Sequence, residues 1–376
     1  MIYLDNAATT FPKPNEVLDA LDKANRNAFN TGRGSYKVAA NGSVLIENVR
    51  EKIKKISNMK DTDVIFTSSA TQSLNDIILG LNYNKGDNIY ISPFEHNSII
   101  RALEVVKTKY ELNVLTIPFN KESWIPDYSM LENMFAINRP KAIFISHISN
   151  VTGLILPYKK IFSLGKKYNS INLLDSSQAF GVVEVEKNSD IDFLVFAGHK
   201  SLYASFGIAG FIKKNTIELN KFIFGGNGSD TMNPNMPDNG HMAYEAGSPN
   251  IVAISGLNAS IDWLQKTKVY EKELDATHYL INSLKKLNNV KLFLPEDYES
   301  KIFGVVSIGI DKYSADEVGA ILNDEFDIAV RTGFHCAPLI HDFIGSMVYN
   351  GTVRISLNYF NTFEDIDYLI SALKTL

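Results

Sequence analysis

The feature that most constrains this chain is the alternation of two apolar patterns. Short β-branched and aromatic runs, nearly continuous in apolar residues, occur at 64–67, 88–91, 114–117, 142–146, 172–175, 193–196 and 209–212. Such runs suit strands that are buried on both faces. Helix-length segments with apolar spacing near 3.6 lie between many of them, at 73–81, 98–110 and 157–168. Strand–helix alternation predicts an α/β domain with a seven-stranded, mainly parallel sheet. Ligands of such sheets sit at the carboxyl ends of the strands, so polar residues there carry the most functional weight.

The pattern changes after about residue 255. A long helical stretch at 256–287 leads to a strand-like run at 305–310, a helix at 315–325, a strand-like run at 353–357 and a helix from Glu364. Strands and helices without regular alternation predict a smaller α+β domain. The expected division is a large domain over 14–255, with 1–13 and 256–376 forming the small one. The longest loop candidate is 225–240, rich in Gly, Asn and Pro.

Composition removes several classes of function. With 37 Lys+Arg against 42 Asp+Glu, the formal charge is −5, which leaves no cationic excess for nucleic acid or an anionic membrane. An apolar fraction of 45% with 21% charged residues is globular rather than disordered. No apolar stretch reaches the length of a membrane helix, and Met1-Ile-Tyr-Leu-Asp5 shows no signal-peptide pattern. One cysteine suits a reducing compartment, and a cytoplasmic location is expected.

Two predicted strand ends stand out. One finishes at Asp175, followed by Ser176-Ser-Gln178; the other runs into Gly198-His-Lys200. An acid and an amine over one pocket is the pairing used with pyridoxal phosphate, where the lysine bonds the aldehyde and the acid keeps the pyridine nitrogen protonated. Taken singly, a loop lysine and a helix-capping aspartate explain them more simply. Ser68-Ser-Ala-Thr-Gln72 joins a strand to a helix and could cradle phosphate on its backbone amides and on Thr71, or be an ordinary cap. His96, at another strand end, could stack on a flat ring or move protons. P-loop and dinucleotide motifs fail, because His199 precedes Lys200 and Gly226-Asn-Gly228 lacks a strand-to-helix setting. Cys336 lies in Arg331-Thr-Gly-Phe-His-Cys-Ala337, with a basic residue and a histidine beside it as an activated thiol requires. The base-rate reading of a lone cysteine is a buried structural thiol. Zinc on His335, Cys336 and His341 would lack a fourth ligand. Arg354 could clamp a carboxylate, or form a surface ion pair.

These signals fall in one order. Tyr3-Leu-Asp-Asn-Ala-Ala8, Phe66-Thr-Ser-Ser-Ala-Thr71, Glu95-His96, Ser149-Asn-Val-Thr-Gly153, Asp175-Ser-Ser-Gln178, Gly198-His-Lys200, Glu245-Ala-Gly-Ser-Pro-Asn250, the Cys336 segment and Val353-Arg354 span essentially the whole chain. The chain resembles the class V aminotransferase-like, pyridoxal-phosphate-dependent family, and within it the group II cysteine desulfurases and selenocysteine lyases. The resemblance implies the two-domain fold type I and a homodimer. It implies Lys200 as the Schiff-base lysine, Asp175 as the pyridinium partner, His96 stacked on the ring and Gln178 on the ring hydroxyl. Ala70, Thr71 and His199 would hold the phosphate, with Ser248 reaching in from the second subunit. Asn150 and Arg354 would bind the substrate carboxylate. Cys336 would take sulfur from L-cysteine as a persulfide, releasing L-alanine, and pass it to an acceptor protein.

Some positions depart from that family. Asn97 stands where a second histidine is common, Ala197 where a hydroxyl residue assists the phosphate, and Phe334 where group II enzymes have histidine. Gly225-Gly-Asn227 lacks the acid that many carry before this glycine run. Selenocysteine is the rival substrate. Transamination or β-elimination is the rival chemistry, neither of which needs Cys336. A catalytically idle cofactor-binding protein is disfavoured, because Lys200, Asp175, Arg354 and Cys336 are all present.

Overall fold

The computed structural model describes residues 1–27, 31, 34, 36–228 and 232–376. The chain opens with a short strand, β1 (Ile2–Tyr3), and two helices, α1 (Asn15–Asn25) and α2 (Lys37–Ser57). Alternation follows: β2 (Thr62–Thr67), α3 (Ala70–Gly80), β3 (Asn88–Ile91), α4 (Asn97–Tyr110), β4 (Asn113–Thr116), α5 (Tyr128–Ile137), β5 (Pro140–Ser146), α6 (Tyr158–Lys166) and β6 (Ile171–Asp175). Strands β7 (Phe193–Ala197) and β8 (Ala209–Lys214) complete the series.

These seven longer strands form one sheet in the order β2-β8-β7-β6-β5-β3-β4. All pairings are parallel except the two made by β8. Because β2 and β7 both run antiparallel to β8, β2 points the same way as β7. The carboxyl ends of β2, β3, β5, β6 and β7 therefore open on one edge.

The continuous apolar runs have a direct cause. Along β5, Ala142 and Phe144 pack with α3 and α4 on one face, while Ile143 and Ile145 pack with α2, α5 and α6 on the other. A strand covered on both sides cannot alternate apolar with polar.

Beyond the sheet come α7 (Ile251–Lys266), α8 (Val269–Leu284), β9 (Val290–Leu292), β10 (Val305–Ile310), α9 (Ala315–Phe326), β11 (Ile328–Ala329), β12 (Arg331–Gly333), α10 (Ile340–Ile344), β13 (Thr352–Ser356) and α11 (Phe363–Leu373). The helical stretch expected over 256–287 is two helices. Thr267 leaves α7 with extended backbone and caps it through its N–H on Leu264. A second sheet, β12-β13-β10-β9, is antiparallel throughout. The start of the chain joins this part of the molecule: β1 pairs with β11, and Asp5 bridges to Ser356. Arg331 is an edge-strand residue directly opposite Arg354. The described parts of the 225–240 loop carry neither helix nor strand, and its positions 229–231 lie outside the described residues. Among the described residues, no helix is long and apolar enough to cross a membrane.

Candidate active site

Five strand ends meet at one cleft of about 550 Å³, counting the part open to solvent. Asp175, the last residue of β6, is nearly buried, and its Oδ1 accepts hydrogen bonds from the Ser177 N–H (3.0 Å) and Oγ (2.5 Å). Its neighbour β7 runs into Gly198-His199-Lys200, so the carboxylate and the amine line the same cleft. Only glycine fits at 198, since a Cβ there would stand 2.6 Å from the Ile208 carbonyl oxygen. Burial pushes the Lys200 ammonium below the ordinary lysine range; Asp175 opposes this, and Arg354 and Arg331 add to it. The lysine is thus biased toward the free amine.

His96 follows β3 and caps α4. The Ser98 N–H donates to its Nδ1 at 3.1 Å, so the neutral ring carries its proton on Nε2. Burial, with the Lys200 charge, lowers its pKa to about 4 and keeps it neutral. The adjacent Glu95 is fully buried and receives hydrogen bonds from the Ser146 N–H at 2.9 Å and Oγ at 2.8 Å, which ties the ends of β3 and β5 together.

The residues expected to take a phosphate lie at one end of the cleft. Ser69 caps α3 by accepting from the Gln72 N–H. The amides of Ala70 and Thr71, first in the helix, have no partner within it, and both residues line the cleft. His199 lines the same cleft, and its Nδ1 is buried with no partner among the described residues. Its ring stacks on Phe206 at 4.5 Å between centroids, and its carbonyl is held by the Thr10 N–H and by Lys13 Nζ, each at 3.0 Å. A buried imidazole nitrogen and free helix-start amides in one cleft fit an anion. Gln178 also lines the cleft, with Nε2 donating to the Ala7 carbonyl at 2.8 Å.

Cys336 is exposed rather than a buried structural thiol. His335 and Cys336 both have left-handed backbone (φ 49° and 56°). Three hydrogen bonds hold that unusual pair: the Asn97 N–H on the Cys336 carbonyl (2.7 Å), Asn150 Nδ2 on the His335 carbonyl (2.8 Å) and His341 Nε2 on the Phe334 carbonyl (3.0 Å). The sulfur's polar neighbour is Arg331, with Nη2 at 3.3 Å. His335, expected to flank the thiol as an activating base, instead points into the protein. Its Nε2 lies 2.8 Å from Thr352 Oγ1, and burial drives its pKa to about 2.

Arg354 is placed differently from the simple expectation. It is 1% exposed, and Nη1 donates to the Asn150 carbonyl at 3.0 Å while Nη2 meets Asp5 Oδ1 at 2.5 Å. Asn150 lines the cleft, but its amide nitrogen is engaged with the Cys336 loop. Ser248 is exposed and lies apart from this chain's own cleft lining. Its segment is anchored through Glu245, which accepts two hydrogen bonds from the buried Arg50 (2.8 and 2.6 Å) and one from the Phe66 N–H (2.6 Å).

The family model described as aminotransferase class-V matches residues 2–369. The chain belongs to that family. The chain is 31% identical to a cysteine desulfurase from Salmonella choleraesuis and 27% identical to a probable cysteine desulfurase from Methanothermobacter thermautotrophicus. Those alignments cover 100% of this chain and 93% and 94% of the two relatives. The solved apo structure of a cysteine desulfurase from Thermococcus onnurineus NA1 superposes with a TM-score of 0.89 at 27% identity, covering 100% of this chain and 94% of that one. In this aminotransferase class-V chain, sequence reasoning assigned no role to Arg50, to Asp5 as the partner of Arg354, or to His147. The last is buried beside Asp175 with Nδ1 3.0 Å from Ser176 Oγ. Their partners are far away in sequence or hidden behind the sheet edge, so no local pattern marks them.

Proposed function

We propose that this protein is a pyridoxal-phosphate-dependent cysteine desulfurase that takes sulfur from L-cysteine and releases L-alanine. The observation that carries the reading is the exposed Cys336 thiol, pinned by Asn97 to the start of the His96 helix, beside a cleft holding Lys200 and Asp175. When bound, the cofactor supplies an aldehyde for the substrate amine and a ring that withdraws electrons from its α-carbon. Asp175 would hold the pyridine nitrogen, Gln178 the ring hydroxyl, and Ala70, Thr71 and His199 the phosphate. His96, neutral with its proton on Nε2, would lie over the ring.

Lys200 would be the covalent anchor of the cofactor and the free amine that takes the substrate's α-proton. Its lowered proton affinity suits both tasks. The Cys336 sulfur, beside Arg331, then bonds the substrate sulfur. The carbon–sulfur bond breaks with its electron pair left on carbon, which takes up a proton as alanine forms. The sulfur remains on Cys336 as a persulfide for an acceptor thiol. Asn150 and Arg354 would bind the substrate carboxylate. We place Ser248 in the neighbouring subunit's site within a homodimer, the domain boundary near residue 255, and the activity in the cytoplasm, where a single working thiol stays reduced.

The test is to incubate the purified holoenzyme with L-cysteine and a reductant and to assay both products. Sulfide and alanine in equal amounts are expected. Pyruvate and ammonia in place of alanine would make the enzyme a β-lyase, and activity confined to selenocysteine would make it a selenocysteine lyase.

A further inference from the structure

Arg354, the cation assigned to the substrate carboxylate, already holds a carboxylate of its own chain. Its side chain is 1% exposed, so the guanidinium cannot fall back on water as a partner. Asp5 Oδ1 lies 2.5 Å from Nη2, the Asn150 carbonyl takes Nη1 at 3.0 Å, and the buried Nε has no partner among the described residues. The Asp5 side chain is the more open of the pair, at 22% exposed. Its backbone is fixed, bridged to Ser356 and bonded at its carbonyl by the Tyr3 hydroxyl at 3.0 Å and the Ala8 N–H at 3.1 Å. Only the carboxylate is free to swing. The arginine's charge reaches the cleft, where it acts on both His96 and Lys200.

We infer that Asp5 tunes substrate affinity as an internal occupant of the Arg354 carboxylate site, one that the substrate's α-carboxylate must displace. The inference rests on the substrate-carboxylate role given to Arg354 above. A fixed, buried cation needs an anion at all times, and Asp5 supplies it between turnovers. An incoming anion can take its place, because one carboxylate is exchanged for another. A neutral amide or ester cannot, because it would leave Arg354 buried without a counter-ion. Asp5 therefore weakens the binding of substrate carboxylates, while ligands that lack one never engage Arg354 and do not feel the competition.

The test titrates the holoenzyme with L-alanine and with L-alaninamide, in the wild type and in the Asp5→Asn and Arg354→Gln variants. Asparagine keeps an oxygen for Nη2 but removes the competing charge. L-Alanine should then bind about tenfold more tightly to Asp5→Asn, with L-alaninamide little changed. KM for L-cysteine should fall in parallel while kcat stays level, a split that a merely structural role would not produce. Asp5→Ser should do the same should the asparagine variant fold poorly. Arg354→Gln should erase the preference for L-alanine over its amide. If L-alanine binds Asp5→Asn and Asp5→Ser no more tightly than wild type while Arg354→Gln still erases the preference, Asp5 is not a competitor and the inference falls. If the preference survives Arg354→Gln, the carboxylate role of Arg354 itself is wrong.

Discussion

At the Cys336 sulfur the partner is a guanidinium and not an imidazole. His335 has turned its ring to Thr352, and burial holds it neutral, so it can neither take the thiol proton nor offset a thiolate charge. Arg331, at 3.3 Å, can do the second. The rate at which iodoacetamide alkylates Cys336 at pH 7 should therefore drop about tenfold in Arg331→Ala. It should stay within a factor of two or so in His335→Gln. The reverse order would return the role to the imidazole. Asp175 belongs to the same scale. Asp175→Ala should retain cofactor weakly and lose most turnover, the missing charge-assisted hydrogen bond being worth about 1.5–3 kcal/mol; turnover at the wild-type rate would give the acid another task. Residues such as Asp175 and Lys200 were legible in the sequence because a strand end announces itself by where an apolar run stops. Asp5 and Arg354 are 349 positions apart and meet only because β1 and β13 converge, so the pair could not be read locally.

Among elements, the large sheet was the most legible part, because strands covered on both faces must be apolar throughout. Helices α1 and α2 carry no such signal in the sequence. Only Val17 and Ala24 of α1 are buried, too few to set a period. The buried stripe of α2 contains Gly42, Arg50 and Ser57 alongside Ile46, Val49 and Ile53, so a hydrophobic pattern search misses it. Arg50 is there because it clasps Glu245 and fixes the segment bearing Ser248 against β2. Removing the Glu245 charge leaves the buried Arg50 with the more exposed Glu47 and the Val64 carbonyl as its remaining partners. Glu245→Gln should thus cost about 1.5–3 kcal/mol in chemical denaturation; a loss under 0.5 kcal/mol or so would show the clasp to be incidental. The Cys336 loop depends on contacts in the same way. Asn150→Ala frees the His335 carbonyl, and an unpaired buried acceptor costs about 1–3 kcal/mol. Hydrogen exchange around 333–338 should accelerate in that variant while cofactor absorbance stays near normal.

For the whole molecule, the buried histidines set an acid limit. His96, His147, His199 and His335 have their pKa values lowered to about 4, 3, 4 and 2, chiefly by burial. As pH falls below their ordinary value of 6.5, the unfolded chain binds protons that the native protein refuses, so stability declines with acidification. Glu95 and Glu273, raised by burial to about 7 and 8, act in the opposite sense. Their native forms keep protons that the unfolded chain releases above 4.5, which blunts the decline down to that pH. Between about 4.5 and 4 this offset has ended while all four imidazoles still refuse protons, so the melting temperature of cofactor-stripped protein should fall most steeply there. A melting temperature that rises on acidification from 6.5 would contradict the assignment of neutral buried imidazoles. The central claim, that the cleft and the thiol act together on L-cysteine, is tested most directly by a single turnover without reductant. Holoenzyme mixed with an equimolar amount of L-cysteine should yield one alanine per active site and a mass gain of one sulfur atom on the peptide containing Cys336, and Cys336→Ala should give neither. Alanine formed at the wild-type rate by Cys336→Ala, or sulfur found on no peptide of the wild-type enzyme, would contradict it.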